Sequence, residues 1–109
     1  MKAEDLIEKY TYLIEYSADD DCYLARCAEL PSLKAHGNSQ IKALKEIKNA
    51  ALIALEWIKD EKKDLPEPFS LRKFSGQYRI RISPEQHRDI ATKASLLGIS
   101  MNQYIASKL

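Results

Sequence analysis

The spacing of apolar residues changes along this chain, and each change marks an element. Residues 3–9 fit a short helix that ends before Tyr10. From Tyr12 to Tyr16 the period is two. Tyr12, Ile14 and Tyr16 share one face and Leu13 takes the other, which predicts a strand. Ser17 to Asp21 is a polar, turn-forming cluster, and Cys22 to Ala28 reads as a second strand, so the two form a hairpin. Glu29-Leu30-Pro31-Ser32 predicts a break. Leu33 to His36 follows as a short third strand, closed by Gly37 and Asn38.

The period then lengthens to that of a helix. Ser39 suits the N-cap, and Leu44, Ile47, Ala51, Leu55 and Ile58 recur at helical spacing, with Lys42, Lys45 and Lys48 off that stripe. A second set, Ala50, Ile53, Ala54 and Trp57, widens the apolar surface. Packing against the sheet is the favoured explanation for it, and contact with another chain is the alternative. Leu65-Pro66-Glu67-Pro68 stops the helix and begins a linker. Phe69 to Lys73 is expected to add a fourth strand. The chain thus divides into residues 1–68 and 69–109.

The last third returns to a period of two. Tyr78, Ile80 and Ile82 alternate with Gln77, Arg79 and Arg81, so a strand here carries an apolar face and a basic one. Ser83-Pro84-Glu85-Gln86 combines an N-cap, a proline at the first helical position and a capping box. Ile90, Ala91, Ala94 and Leu97 follow at helical spacing, and Gly98 ends the helix. Ser100 opens a second helix, with Gln103 completing another capping box and Met101, Tyr104, Ile105 and Leu109 as its apolar side. One strand and two short helices cannot bury enough surface to fold alone. The economical solution is a second copy of the chain, its strand paired antiparallel, with Tyr78, Ile80 and Ile82 forming the shared core.

Charge sharpens the division. Residues 1–64 carry ten Lys/Arg against thirteen Asp/Glu, and residues 65–109 carry seven against three, so an overall charge of +1 conceals an acidic front and a basic tail. Gln77, Arg79 and Arg81 face away from the expected core. Arg pairs bidentately with guanine and Gln with adenine, and a two-stranded ribbon fits the major groove. Lys73 and the start of the last helix, Ser100, Met101 and Asn102, are candidate phosphate contacts. Cys22 and Cys27 lack ligand-spaced Cys or His neighbours, so neither a metal site nor a cofactor is expected. No apolar run spans a bilayer, and Met1 to Tyr10 lacks a signal-peptide core, so a cytoplasmic location is expected.

The tail, with its alternation, caps and glycine in register, resembles the ribbon-helix-helix repressors. The whole chain resembles the HicB family of antitoxins. The residues that carry this resemblance are Asp20 and Asp21 before Cys22-Tyr23-Leu24-Ala25, then Glu29-Leu30-Pro31, then Gly37 with Asn38 and Ser39. Pro66-Glu67-Pro68-Phe69, Phe74-Ser75-Gly76 and Arg79-Ile80-Arg81-Ile82 complete them. The resemblance implies an α+β fold, with a small partial ribonuclease-H-like domain ahead of a dimeric ribbon-helix-helix tail. It further implies an antitoxin that neutralises a HicA-type ribonuclease toxin and represses its own operon, with operator DNA and a second copy as its other partners.

Two alternatives remain at this stage. A ribonuclease H fold can be a metal-dependent nuclease, and its candidate carboxylates would be Glu15, Asp19, Asp20, Asp21 and Glu29; the aspartates sit where turns favour them, so a non-enzyme is expected. The other alternative is a repressor whose front domain senses a small ligand, although no glycine-rich phosphate loop supports it.

Overall fold

The computed structural model describes residues 1–109 and is α+β. Four helices, α1 (Ala3–Lys9), α2 (Gln40–Asp60), α3 (Pro84–Leu97) and α4 (Met101–Ser107), accompany three strands, β1 (Tyr12–Ser17), β2 (Cys22–Cys27) and β3 (Leu30–Gly37). The strands form one antiparallel sheet in the order β1-β2-β3. The chain divides into two compact units, Met1–Lys73 and Phe74–Leu109.

In the first unit, β1 and β2 make the expected hairpin, with Tyr12 opposite Cys27, Ile14 opposite Ala25 and Tyr16 opposite Tyr23. Asp21 takes the positive φ the turn requires, and the Tyr16 and Tyr23 rings meet edge to face at 5.5 Å. The third strand is longer than expected. It begins at Leu30, directly after a tight turn at Ala28-Glu29, and the expected break survives as a bulge: Cys27 pairs with Leu30, whereas Arg26 pairs with Lys34.

Ser39 caps α2 by accepting from the Lys42 amide at 3.1 Å. One helical stripe, Ala43, Ile47, Ala51 and Leu55, is fully buried against Ala25, Cys27 and Leu30 of the sheet and Leu6, Ile7 and Tyr10 at the start of the chain. Leu44 and Ile58, expected on that stripe, flank it and are half-buried. Of the second apolar set, Ala54 packs against the core as expected, whereas Ile53 and Trp57 are exposed. The reason is geometric: two residues along an α-helix is roughly 200° of rotation, so Ile53 points away from the side that buries Ala51 and Leu55.

Gly37 ends β3 where the chain turns against the first turn of α2. A Cβ there would lie 2.6 Å from the Ala43 amide nitrogen and 2.9 Å from the Lys42 carbonyl carbon, both backbone atoms. Gly37→Ala is therefore expected to destabilise the first unit by about 1–3 kcal/mol, as overpacking against rigid neighbours does. Denaturant unfolding measures this, and an unchanged midpoint would mean that the β3–α2 junction yields.

The expected fourth strand at 69–73 is absent. Phe69–Leu71 is a single 3-10 turn, with the Leu71 and Arg72 amides closing on the Pro68 carbonyl at 3.0 and 3.2 Å. The Phe69 amide is taken by the buried Glu29 carboxylate at 3.0 Å, and the Ser70 hydroxyl donates to the Lys9 carbonyl at 3.4 Å. These bonds tie Phe69 and Ser70 to the first unit, which runs to Lys73.

Candidate nucleic-acid interface

The second unit begins at Phe74, and its two helices are fixed by local bonds. Ser83 Oγ accepts from the Gln86 amide at 3.1 Å while Gln86 Oε1 accepts from the Ser83 amide at 3.0 Å. The same reciprocal box closes the start of α4, between Ser100 and Gln103, at 2.9 and 3.0 Å. Between them Gly98 adopts φ +69°, and the amides of Gly98 and Ile99 satisfy the last carbonyls of α3. α3 and α4 pack on one another, yet only Ala94 is buried between them; Ile90, Ala91, Tyr104 and Ile105 are half-buried.

Residues 77–83 carry no helix or strand in the single chain, because no neighbouring segment pairs with them. Tyr78, Ile80 and Ile82, expected as a shared core, are 90%, 53% and 41% exposed. Gln77, Arg79 and Arg81 are exposed beside them, so one chain alone brings neither set together. Lys73 is exposed as the last residue of the first unit. Ser100, Met101 and Asn102 are exposed at the start of α4. The Ser100 and Gln103 amides are used in the capping box, which leaves those of Met101 and Asn102 without an acceptor in the chain. The second unit carries five Lys/Arg against two Asp/Glu. Lys93 is paired with Asp89 at 2.8 Å on α3, whereas Arg79 and Arg81 are in no ion pair.

Four of the five carboxylates considered for a nuclease, all but Asp19, are engaged separately. Glu15 pairs with Arg26 at 2.9 Å on the exposed sheet face, Asp20 meets the Ser17 hydroxyl at 3.3 Å and Asp21 accepts from Tyr16 at 2.8 Å. Glu29 accepts from the amides of Thr11 at 2.9 Å and Phe69 at 3.0 Å, from the Thr11 hydroxyl at 3.3 Å and from the Cys27 thiol at 3.7 Å. Burial by itself would raise its pKa, but the Thr11 and Phe69 amides favour the ionised form more strongly and hold it below the ordinary carboxylate value. No three His, Cys, Asp or Glu side chains converge to hold a metal. The sheet bears a surface hollow of about 260 Å³ lined by Thr11, Leu13, Arg26, Cys27, Ala28 and Pro31. Its single charge, Arg26, is already paired with Glu15, so no convergent polar set marks a ligand site. No helix is long and apolar enough to cross a membrane.

Sequence reasoning named Glu29 as a possible catalytic carboxylate and missed that it clamps three segments. Its amide donors lie 18 and 40 residues away, and no local pattern encodes them.

Among known proteins, the model of the HicB family matches residues 57–109, just under half of the chain. The match covers the end of α2, the proline segment and the entire second unit. Over that span the chain is similar to the HicB family. No curated protein and no solved structure matches the chain.

Proposed function

We propose that this protein is an antitoxin of the HicB type. Its tail forms a dimeric ribbon-helix-helix reader of operator DNA, and its partial ribonuclease-H-like front unit neutralises a HicA-type ribonuclease toxin. The observation that carries the DNA-reading half is the state of the tail in a single chain. Two well-capped helices bury one alanine, while an alternating apolar trio beside two arginines lies in water. A helix pair so firmly terminated and so poorly buried requires another chain. A second copy satisfies it by pairing residues 78–82 antiparallel, which buries Tyr78, Ile80 and Ile82 and turns Gln77, Arg79 and Arg81 outward. The phosphate grip comes from the Met101 and Asn102 amides with the Ser100 hydroxyl, and from Lys73.

The toxin half rests on the family match and on the charge of the first unit, whose twelve Lys/Arg against fourteen Asp/Glu suit a basic, RNA-directed partner. Neutralisation then consists of covering the toxin, with no reaction carried out by this chain.

Base reading and phosphate contact predict different mutant behaviour. Arg81→Ala is expected to cost about 1–3 kcal/mol on a duplex from upstream of the protein's own gene, and to relax preference at one base pair per half-site. Lys73→Ala is expected to weaken all duplexes alike and to lower the salt slope by roughly one. The measurement is binding to the upstream duplex and to a random one at two salt concentrations. Unchanged affinity for Arg79→Ala and Arg81→Ala, with the dimer intact, would remove the ribbon as the reader.

A further inference from the structure

The sheet has two edges, and they are built differently. β3 carries Pro31 and Lys34 and is bulged near its start, all devices that discourage further pairing. β1 has none of them. It is regular, rich in β-prone residues, and free of proline and lysine. The phase of its ladder to β2 is set by one bond. The Ala28 amide donates to the Thr11 carbonyl at 2.9 Å, and these residues lie directly across from one another in the β1–β2 register. Hydrogen-bonded pairs alternate along an antiparallel ladder, so Leu13, Glu15 and Ser17 turn their amides and carbonyls toward β2. Tyr12, Ile14 and Tyr16 turn theirs outward, where no group of the chain bonds to them.

The pattern of β1 indicates what completes this edge. Glu15 is the one charged residue of the strand and already holds Arg26 at 2.9 Å, so the edge offers no unpaired charge to select a partner of opposite sign. β1 is instead its own complement. With a second β1 running antiparallel and the two-fold axis at Ile14, Tyr12 of each strand faces Tyr16 of the other and the two Ile14 residues face each other. Every outward amide and carbonyl on both strands then has a partner. The apolar trio of each strand stays on one face of the joined sheet, and exposed Leu13 comes to lie against the stem of Glu15 of the partner subunit. The two Glu15 carboxylates are diagonal rather than opposed, and each keeps its own Arg26. Neighbouring registers are worse. An axis at Glu15 sets the two carboxylates directly opposite and strands Tyr12; an axis at Leu13 leaves Tyr16 facing Tyr10, outside the strand.

We infer that β1 pairs with β1 of a second copy of the chain, centred on Ile14, and joins the two sheets into one continuous antiparallel sheet. This contact lies within the first unit and does not rest on the tail or on DNA reading. With the ribbon it gives each protomer two separate two-fold interfaces, which closes into a tetramer or links dimers into a chain.

Disulfide trapping reads this register directly in the full-length protein. Leu13 and Glu15 are both exposed, and across the axis they form a non-hydrogen-bonded pair, the closer kind, within reach of a disulfide. Cys22→Ser serves as the background, since Cys27 is buried. In it, chains carrying Leu13→Cys and chains carrying Glu15→Cys are expected to form a covalent dimer when mixed and oxidised, whereas neither does so alone. Leu13→Glu, with its fold checked by circular dichroism, sets carboxylate against carboxylate and is expected to weaken the association on the order of tenfold or more. Adding Glu15→Lys should restore it, because unlike charges then meet across the axis and Arg26, directly across from position 13, keeps an acidic neighbour. Sedimentation of Ile80→Lys, which removes the ribbon, should still find a dimer, and adding Leu13→Glu should yield a monomer. Absence of the crosslink on mixing, or its equal formation by Leu13→Cys alone, would overturn the inference. So would Ile80→Lys sedimenting as a monomer at every concentration, a charge-exchanged double variant that stays weak, or pairing of this edge only on addition of a different protein.

Discussion

Ile80→Lys is expected to abolish operator binding and dissociate the protomers at the tail, while leaving the first unit folded. In a single chain Ile80 is half in water, so a lysine there costs that chain almost nothing. The penalty arises only on pairing. Two ammonium groups would enter the centre of a ribbon whose other core members are Tyr78 and Ile82 of each chain, at a cost of several kcal/mol. Because the penalty falls on association alone, circular dichroism of the variant should match wild type in the strands and in α2. Sedimentation should give half the wild-type mass, and DNA binding should fall to the non-specific level at any protein concentration reached. Unaltered mass with operator binding retained would mean that Tyr78, Ile80 and Ile82 are not the shared core.

The elements that were legible in the sequence are those whose determinants lie within one turn. Ser83 and Gln86, Ser100 and Gln103, and Gly98 act on their own backbone neighbours, so reading the residues gives the geometry. The first hairpin is equally local, with alternation in both strands and a polar turn of aspartates between them. The less legible features depend on distant chain. The Phe69 amide bonds to Glu29, forty residues earlier, and a stretch with strand-like composition becomes a turn. The start of β3 was obscured by Pro31, which weakens a strand prediction but is accommodated in a bulge. Ile53 and Trp57 are apolar and on the same helix, but each lies two residues, roughly 200°, from a member of the buried stripe, so apolar composition alone overstated the width of the core face. The candidate interface was legible as composition, from the basic face and the apolar trio. Within the chain no strand pairs with residues 78–82, so the pairing expected of them has no counterpart in the single chain.

Glu29 is expected to control how firmly the segment before the tail is held. Its carboxylate joins the entry to β1, the end of β2 and the turn at Phe69 through the bonds to Thr11, Cys27 and Phe69. Glu29→Ala removes the acceptor for two part-buried amides at once, and hydrogen bonds to a charged group are among the stronger ones. A loss of about 2–4 kcal/mol follows, a large share of the stability of a unit this small. Glu29→Gln keeps the shape but places an NH2 donor against one of the donors, so it is expected to fall between wild type and Glu29→Ala. The pH dependence separates a charge effect from a packing effect. The folded carboxylate titrates below its ordinary value of 4.5, so at neutral pH the stabilisation is present in full. Below about pH 5 the unfolded chain takes up this proton before the folded one does. Stability then falls on acidification by at most about 1.4 kcal/mol per pH unit from this group, and the contribution is gone once the folded carboxyl is itself protonated. Denaturant midpoints across pH 3–7 should therefore converge for wild type and Glu29→Gln at the acid end and diverge toward neutrality. Hydrogen exchange at the Phe69 amide should quicken in both variants at pH 7. A wild-type profile parallel to that of Glu29→Gln across the whole range would show that the ionised clamp adds nothing to stability.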